Sequence, residues 1–335
     1  MSENKDRSSA EFHCAHLGAS GVVANFTGKW AGWATFDLPT VKPTGEQIYN
    51  LFERGGLTFK PFVAPVQYFN AVTGELTEVP DKFAIYNGDT GATLAIGGSQ
   101  LAQSMTVGGH YETLIAVVGE LAKDNFPCRA ISFDNGARAM IQCLIPGDHY
   151  ILDRPHKAFF TLQNGLDGSG KVRLGHTDVC PVCSNTYRAA LDDLELSAKH
   201  TMNLGDNLAK IQRAIFQVKE SAEQYYIDLA SLAKVKASAK AEKEFLYYLI
   251  PDQAKKEDAK RENSQPANRR EKLVNAIGQS LAERSTSTPT LYDLLQGVTR
   301  FVTHGDKGVK NPEYVLDGVG TDFSNKAYTW LVKNS

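Results

Sequence analysis

Only five cysteines, four methionines and three tryptophans occur among the 335 residues. No apolar run reaches the roughly 18–20 residues needed to span a bilayer, so no membrane-crossing helix is expected. Charge of one sign is also missing: 36 Lys+Arg stand against 38 Asp+Glu, a net charge of −2. That balance excludes a chain coated in positive charge and leaves room for a local basic groove. Cys14, Cys128, Cys143, Cys180 and Cys183 are too few and too odd in number for a disulfide framework. They read as free thiols of a reducing compartment. The polar first residues, MSENKDR, have no apolar signal core behind them, so a cytoplasmic location is expected. The motifs H-E-x-x-H and G-x-S-x-G are absent, and no G-x-G-x-x-G opens a helix. The chain is therefore not expected to be an enzyme, nor to need a cofactor.

What is present is an ordinary globular composition, 42% hydrophobic and 22% charged, in a chain long enough to bury a sizeable core. Residues 1–20 read as a flexible leader, and residues 30–36 (WAGWATF) as a strand. Thr44 is placed to cap a helix whose apolar Ile48, Leu51 and Phe52 share one side, with Gly55-Gly56 as its stop. Residues 62–70 and 76–79 form a hairpin pattern across Thr73-Gly74. Residues 83–86 and 93–96 form another across Asn87-Gly88-Asp89-Thr90-Gly91. Residues 110–123 are an amphipathic helix with Leu114, Val117, Val118 and Leu121 on one face. Two further hairpins are expected, 128–133 with 137–145 and 157–163 with 171–179.

From residue 185 to 250 the chain is rich in Ala, Leu, Lys and Glu and contains no proline, a helical composition. Residues 251–270 are charged and polar and read as a linker. Helices are expected at 271–283, 290–304 and 324–332. The expected architecture is α+β: a strand-rich core over 21–187, then a helical region over 188–335.

Cys180-Pro181-Val182-Cys183 follows His176 by four residues. A structural zinc site needs four ligands, and no second C-x-x-C supplies the rest, so buried thiols are expected in place of a metal. The loop 164–170 (NGLDGSG) lacks the Gly-Lys-Ser/Thr of a P-loop and lies between strands. It reads as a hairpin loop, with a phosphate-meeting loop as the alternative. Residues 234–272 hold 11 Lys+Arg against 7 Asp+Glu and read as a solvated helix. In the strand-rich part, cations interleave with Phe159 and Phe160. Arg138, Lys157, Lys171, Arg173 and Arg188 are the candidate nucleic-acid-binding residues, because a groove that tracks single strands sets cations on phosphates and rings under bases. A solvated sheet face is the alternative.

Residues 171–191, KVRLGHTDVCPVCSNTYRAAL, resemble the motif of a phage- and plasmid-borne family catalogued as a domain of unknown function. Cys183, Asn185, Thr186, Ala190 and Leu191 carry the match. So do Tyr86-Asn87-Gly88-Asp89-Thr90-Gly91, the Leu162–Ser169 loop, Lys199-His200-Thr201, Thr290-Leu291-Tyr292-Asp293 with Val298-Thr299, and Lys326-Ala327. The likeness covers roughly residues 60–333. It implies a mobile-element origin and carries over no established catalytic residues. Members are distantly similar to phage single-strand annealing recombinases, which have a strand-rich core with a packed helix and oligomerise on DNA. Asn185-Thr186 read as the start of a helix with Arg188 in its first turn. The function these readings favour is single-stranded DNA binding by a homo-oligomer in phage or plasmid recombination or replication. The alternative is an assembly or interaction protein with no direct nucleic-acid role.

Overall fold

In the computed structural model, residues 13–25, 38–105, 109–147, 149–167, 172–180, 185–188, 208–252, 265–305, 312–316 and 318–335 are described. The elements run β1 (His13–Leu17), β2 (Val23–Asn25), α1 (Gly45–Arg54), β3 (Pro61–Asn70), β4 (Glu75–Asn87), β5 (Thr93–Gly97), α2 (Ser99–Met105), α3 (His110–Leu121), β6 (Phe126–Phe133), β7 (Arg138–Leu144), β8 (His149–Ile151), β9 (Arg154–Gly165), β10 (Arg173–Cys180) and β11 (Asn185–Arg188). Helices α4 (Leu208–Leu232), α5 (Ala239–Leu249), α6 (Gln265–Glu283), α7 (Leu291–Arg300), α8 (Pro312–Leu316) and α9 (Val319–Lys333) follow. The fold is α+β, with antiparallel strands first and helices after.

Local signals account for most of these boundaries. Thr44 and Gln47 form a reciprocal capping box at the head of α1, and Gly56 closes it with φ +70°, the left-handed region that favours glycine. The Asn87 side chain accepts from the backbone N–H groups of Asp89 and Thr90 and shapes the turn between β4 and β5. Thr290 and Asp293 repeat the capping box at α7.

One sheet has the order β11-β10-β9-β7-β6-β1-β2, with β8 paired to β9; the other is β3-β4-β5. The first large core sets Ala130, Ile141, Phe160, Leu162 and Leu174 of the large sheet against α1, α3 and Ala214 and Val218 of α4. The second gathers residues of α4 to α9, among them Tyr225, Phe245, Leu273, Leu295 and Leu331. It also includes Cys14, Ile131, Met140 and Ala158 from the sheet. The strand-rich and helical parts therefore share their cores, and α4 feeds both.

Three expectations are corrected. Residues 13–17, placed in a flexible leader, form a strand between β2 and β6, with Ala15 and Leu17 buried. Pairing to two neighbours outweighs a locally weak strand pattern. Asn185-Thr186 do not start a helix. Residues 185–188 pair with β10, Thr186 opposite Val179 and Arg188 opposite Thr177. The end of the polar linker, residues 265–270, belongs to α6. The expected strand at 30–36 lies outside the described residues.

Candidate functional site

The register of the large sheet fixes where the sequence-derived cations sit. Arg138 lies opposite Gly165 on β9, and Arg173 opposite Gln163. Positions 163 and 165 share a sheet face, so Arg138 and Arg173 share one too, on strands that both flank β9. Lys157 is on that face as well, but opposite Val179. Six residues at ~3.3 Å each place it about 20 Å from Gln163 along the strand. Arg138 is ion-paired with Asp134 and lies 3.5 Å from Asp167. The sheet thus brings Arg138 and Arg173 together at one end, beside two carboxylates, and sets Lys157 at the other. Lys171 lies outside the described residues. Arg188 is placed by its backbone alone, on β11. Cys180 is buried at the end of β10, and Cys183 lies outside the described residues.

The most connected polar group joins the two parts of the chain. His156 on β9 meets Asp178 Oδ2 on β10 through Nδ1 at 2.8 Å and Tyr292 Oη on α7 through Nε2 at 2.9 Å. Tyr226 on α4 donates to Asp178 Oδ1 at 2.8 Å. His149 stacks on the Tyr226 ring with centroids 3.8 Å apart. His156 and Tyr292 are fully buried, and Asp178 and Tyr226 nearly so. Burial, with the Asp178 charge adding to it, pushes the Tyr226 hydroxyl well above its ordinary range, so it stays a donor. With the Nδ1 proton given to Asp178, Nε2 accepts from Tyr292, and every hydrogen bond in the chain is matched. So deep a group can hold α4 and α7 on the sheet; it has no access to a substrate.

An exposed surface with recognition chemistry lies on α5, α6 and α9. Ser238 caps α5 through Ala241 N, and Phe245, Leu246 and Leu249 face the core. That arrangement turns Lys240, Lys243 and Tyr247 outward, one turn apart. Tyr247 and Tyr248 are 43% and 42% exposed, large values for adjacent aromatic residues. The Arg270 guanidinium of α6 sits 4.2 Å from the Tyr247 ring centroid and also pairs with Asp252. Lys326 of α9 sits 4.6 Å from the Tyr248 centroid and donates to the Tyr248 carbonyl at 2.9 Å. Lys240 lies 3.9 Å from Glu244, so the cations are partly but not wholly balanced. The sequence signal for this surface is the cation excess over 234–272, which surrounds Tyr247-Tyr248. By itself that excess could not be told from an ordinary solvated helix.

Comparison with known families places the candidate surface in context. Residues 129–322 match the family described as Domain of unknown function (DUF932). The chain belongs to the DUF932 family. The match spans the His156–Asp178–Tyr226–Tyr292 group, both exposed tyrosines and Arg270, while α1 to α3 and β3 to β5 precede it. No curated protein and no solved structure matches the chain. Among the described residues, no helix is long and apolar enough to cross a membrane, and no group of three His, Cys, Asp or Glu could hold a metal ion.

Proposed function

We propose that this DUF932 protein is a non-catalytic binder of single-stranded nucleic acid and that the α5–α6–α9 surface is its interface. The observation that carries the reading is the pair of adjacent, half-exposed tyrosines, each with a cation against its ring, beside Lys240 and Lys243. Rings of this kind stack on any base, and cations at this spacing meet successive phosphates, which gives affinity with little sequence preference. In its finer form the reading is a single-strand annealing role in the recombination or replication of a phage or plasmid, performed by a homo-oligomer. The sheet cations Arg138, Lys157, Lys171, Arg173 and Arg188 remain the second candidate interface.

Fluorescence anisotropy with a labelled oligo-dT tests the interface. Base stacking contributes about 1–3 kcal/mol per base, so Tyr247→Ala/Tyr248→Ala should weaken binding at least about tenfold. Circular dichroism and the melting curve of the variant are recorded alongside, because each half-exposed ring also packs against its cation. Equal affinity of parent and double variant would remove the tyrosines from the interface.

A further inference from the structure

The hairpin of β3 and β4 is long, and only its base is supported. β5 pairs with Phe83–Tyr86 of β4 alone, so beyond that point, among the described residues, β3 and β4 have only each other as strand partners, with Ser99 of α2 touching the base at Asp81. No residue from 66 to 82 is buried. A two-stranded ribbon is marginal in water, and its open edges invite a further partner. Pro65 and Pro80, with the register shift at Pro65/Gln67, blunt the edges near the base. Nothing blunts the tip in that way. Phe69 and Leu76 lie opposite each other, 65% and 67% exposed, with Tyr68 at 49% and Val72 at 94% beside them. Exposed apolar groups clustered on a projecting arm mark a contact surface.

Charge decides what the arm can contact. Residues 66–82 contain Glu75, Glu78 and Asp81 against one cation, Lys82 at the base. Asp81 is occupied at the base, where it accepts from Ser99 N, which leaves Glu75 and Glu78 near the tip. An acidic arm is repelled by nucleic acid and by a second arm like itself, since like charges brought face to face are costly. It fits a surface that carries cations and exposed rings together. The chain presents such a surface at Lys240, Lys243, Tyr247 and Tyr248.

We propose that the β3–β4 arm of one copy docks on the α5–α6–α9 surface of a second copy by the ribbon face that carries Phe69, Leu76 and Glu78, with Glu78 against Lys240 and Lys243 and the two apolar side chains against the tyrosine pair, while Glu75, on the other face, adds to the charge of the arm. The proposal rests on the homo-oligomeric part of the reading above and not on its nucleic-acid part. The contact is heterologous, so each copy offers both an arm and a seat, and copies add head to tail into rings or open chains. Arm and single strand share one seat, so nucleic acid displaces the arm.

The test is a charge exchange read by light scattering on the full chain, across a concentration series and without nucleic acid. The parent mass should rise with concentration. Glu75→Lys/Glu78→Lys sets a basic arm against a basic seat, and Lys240→Glu/Lys243→Glu sets an acidic arm against an acidic seat. Each variant alone should stay monomeric, with unchanged circular dichroism because the altered positions are exposed. An equimolar mixture should associate again, because each arm then meets the opposite charge. Oligo-dT added to the parent should dissociate the assembly, and the Glu75→Lys/Glu78→Lys variant should bind oligo-dT at least as tightly as the parent. A parent that stays monomeric, variants that associate like the parent, or a mixture that does not re-associate would each overturn the docking. So would simultaneous binding of oligo-dT with no loss of mass. If the charge exchange behaves as stated and oligo-dT does not bind, the docking stands and the nucleic-acid reading falls.

Discussion

At the residue scale, the buried chain Tyr292–His156–Asp178–Tyr226 is the feature that ties helices to sheet, and it sets the first expectation. Removing the carboxylate strands the His156 Nδ1 proton and the Tyr226 hydroxyl away from water. Asp178→Ala should therefore lower stability by about 3–5 kcal/mol. Tyr226→Phe removes one donor and leaves Asp178 its His156 partner, for a smaller loss of about 1–3 kcal/mol. Urea titration distinguishes the two: the midpoint should fall in that order at an unchanged m-value. Equal, small shifts would show that the chain is peripheral to stability. Sequence reading could not assemble this group. His156 and Asp178 are 22 residues apart, and Tyr292 is 136 residues from His156, so no local spacing joins them.

At the element scale, α6 and α7 approach closely at Gly297. A methyl group on Gly297 would lie 2.3 Å from Ile277 Cγ1 and 2.8 Å from its Cα. Gly297→Ala must push α7 off α6 and should cost about 1–3 kcal/mol. Gly278, next to Ile277 but on the exposed side of α6, has nothing within 4 Å of its added methyl. Gly278→Ala should instead stabilise by about 0.5–1 kcal/mol, through helix propensity and a less mobile unfolded chain. Thermal melts of the two variants should move in opposite directions; movement in the same direction would contradict the packing. Elements with their own punctuation were legible in the sequence, such as α1 between Thr44 and Gly55-Gly56, and the hairpins β4–β5 and β6–β7 around Asn-Gly turns. Those that depend on distant partners were not. β1 is defined by β2 and β6, and Asn185-Thr186, good helix-capping residues, are claimed by the edge of β10. Expected strands 76–79 and 83–86 are one continuous β4, because a strand can cross a polar, proline-bearing segment when one edge is open.

At the scale of the whole molecule, α+β was legible because strand patterns stop where helical composition begins. The sharing of cores between the two parts was not, since it depends on where α4 crosses the sheet. Burial also gives the molecule an alkaline limit. It pushes the Cys14 thiol up to about 12, against the nearby Arg129 charge, and that of Cys128 up to about 11; Cys143 is raised as well. Each folded value lies above the ordinary thiol value of 9.0, so the native state holds these protons longer than the unfolded state does. Their contribution is complete below about pH 9 and is lost as pH rises toward 11–12. The slope reaches at most about 1.4 kcal/mol per pH unit for each thiol. Melting temperature should therefore fall steeply between pH 9 and 11, and less steeply in Cys143→Ala; identical profiles would place the alkaline limit elsewhere.

The central claim is that single strands bind the α5–α6–α9 surface, and salt dependence tests it most directly. Affinity for oligo-dT should be measured at several salt concentrations for the parent, for Lys240→Ala/Lys243→Ala/Lys326→Ala, and for Lys171→Ala/Arg173→Ala/Arg188→Ala. Each phosphate contact contributes a slope of roughly 0.7 in log affinity against log salt. The first triple variant should bind more weakly with a slope flatter by about 2, and the second should follow the parent. A flattened slope in the second variant alone would move the interface to the sheet, and a parent that fails to bind oligo-dT at low salt would contradict the account.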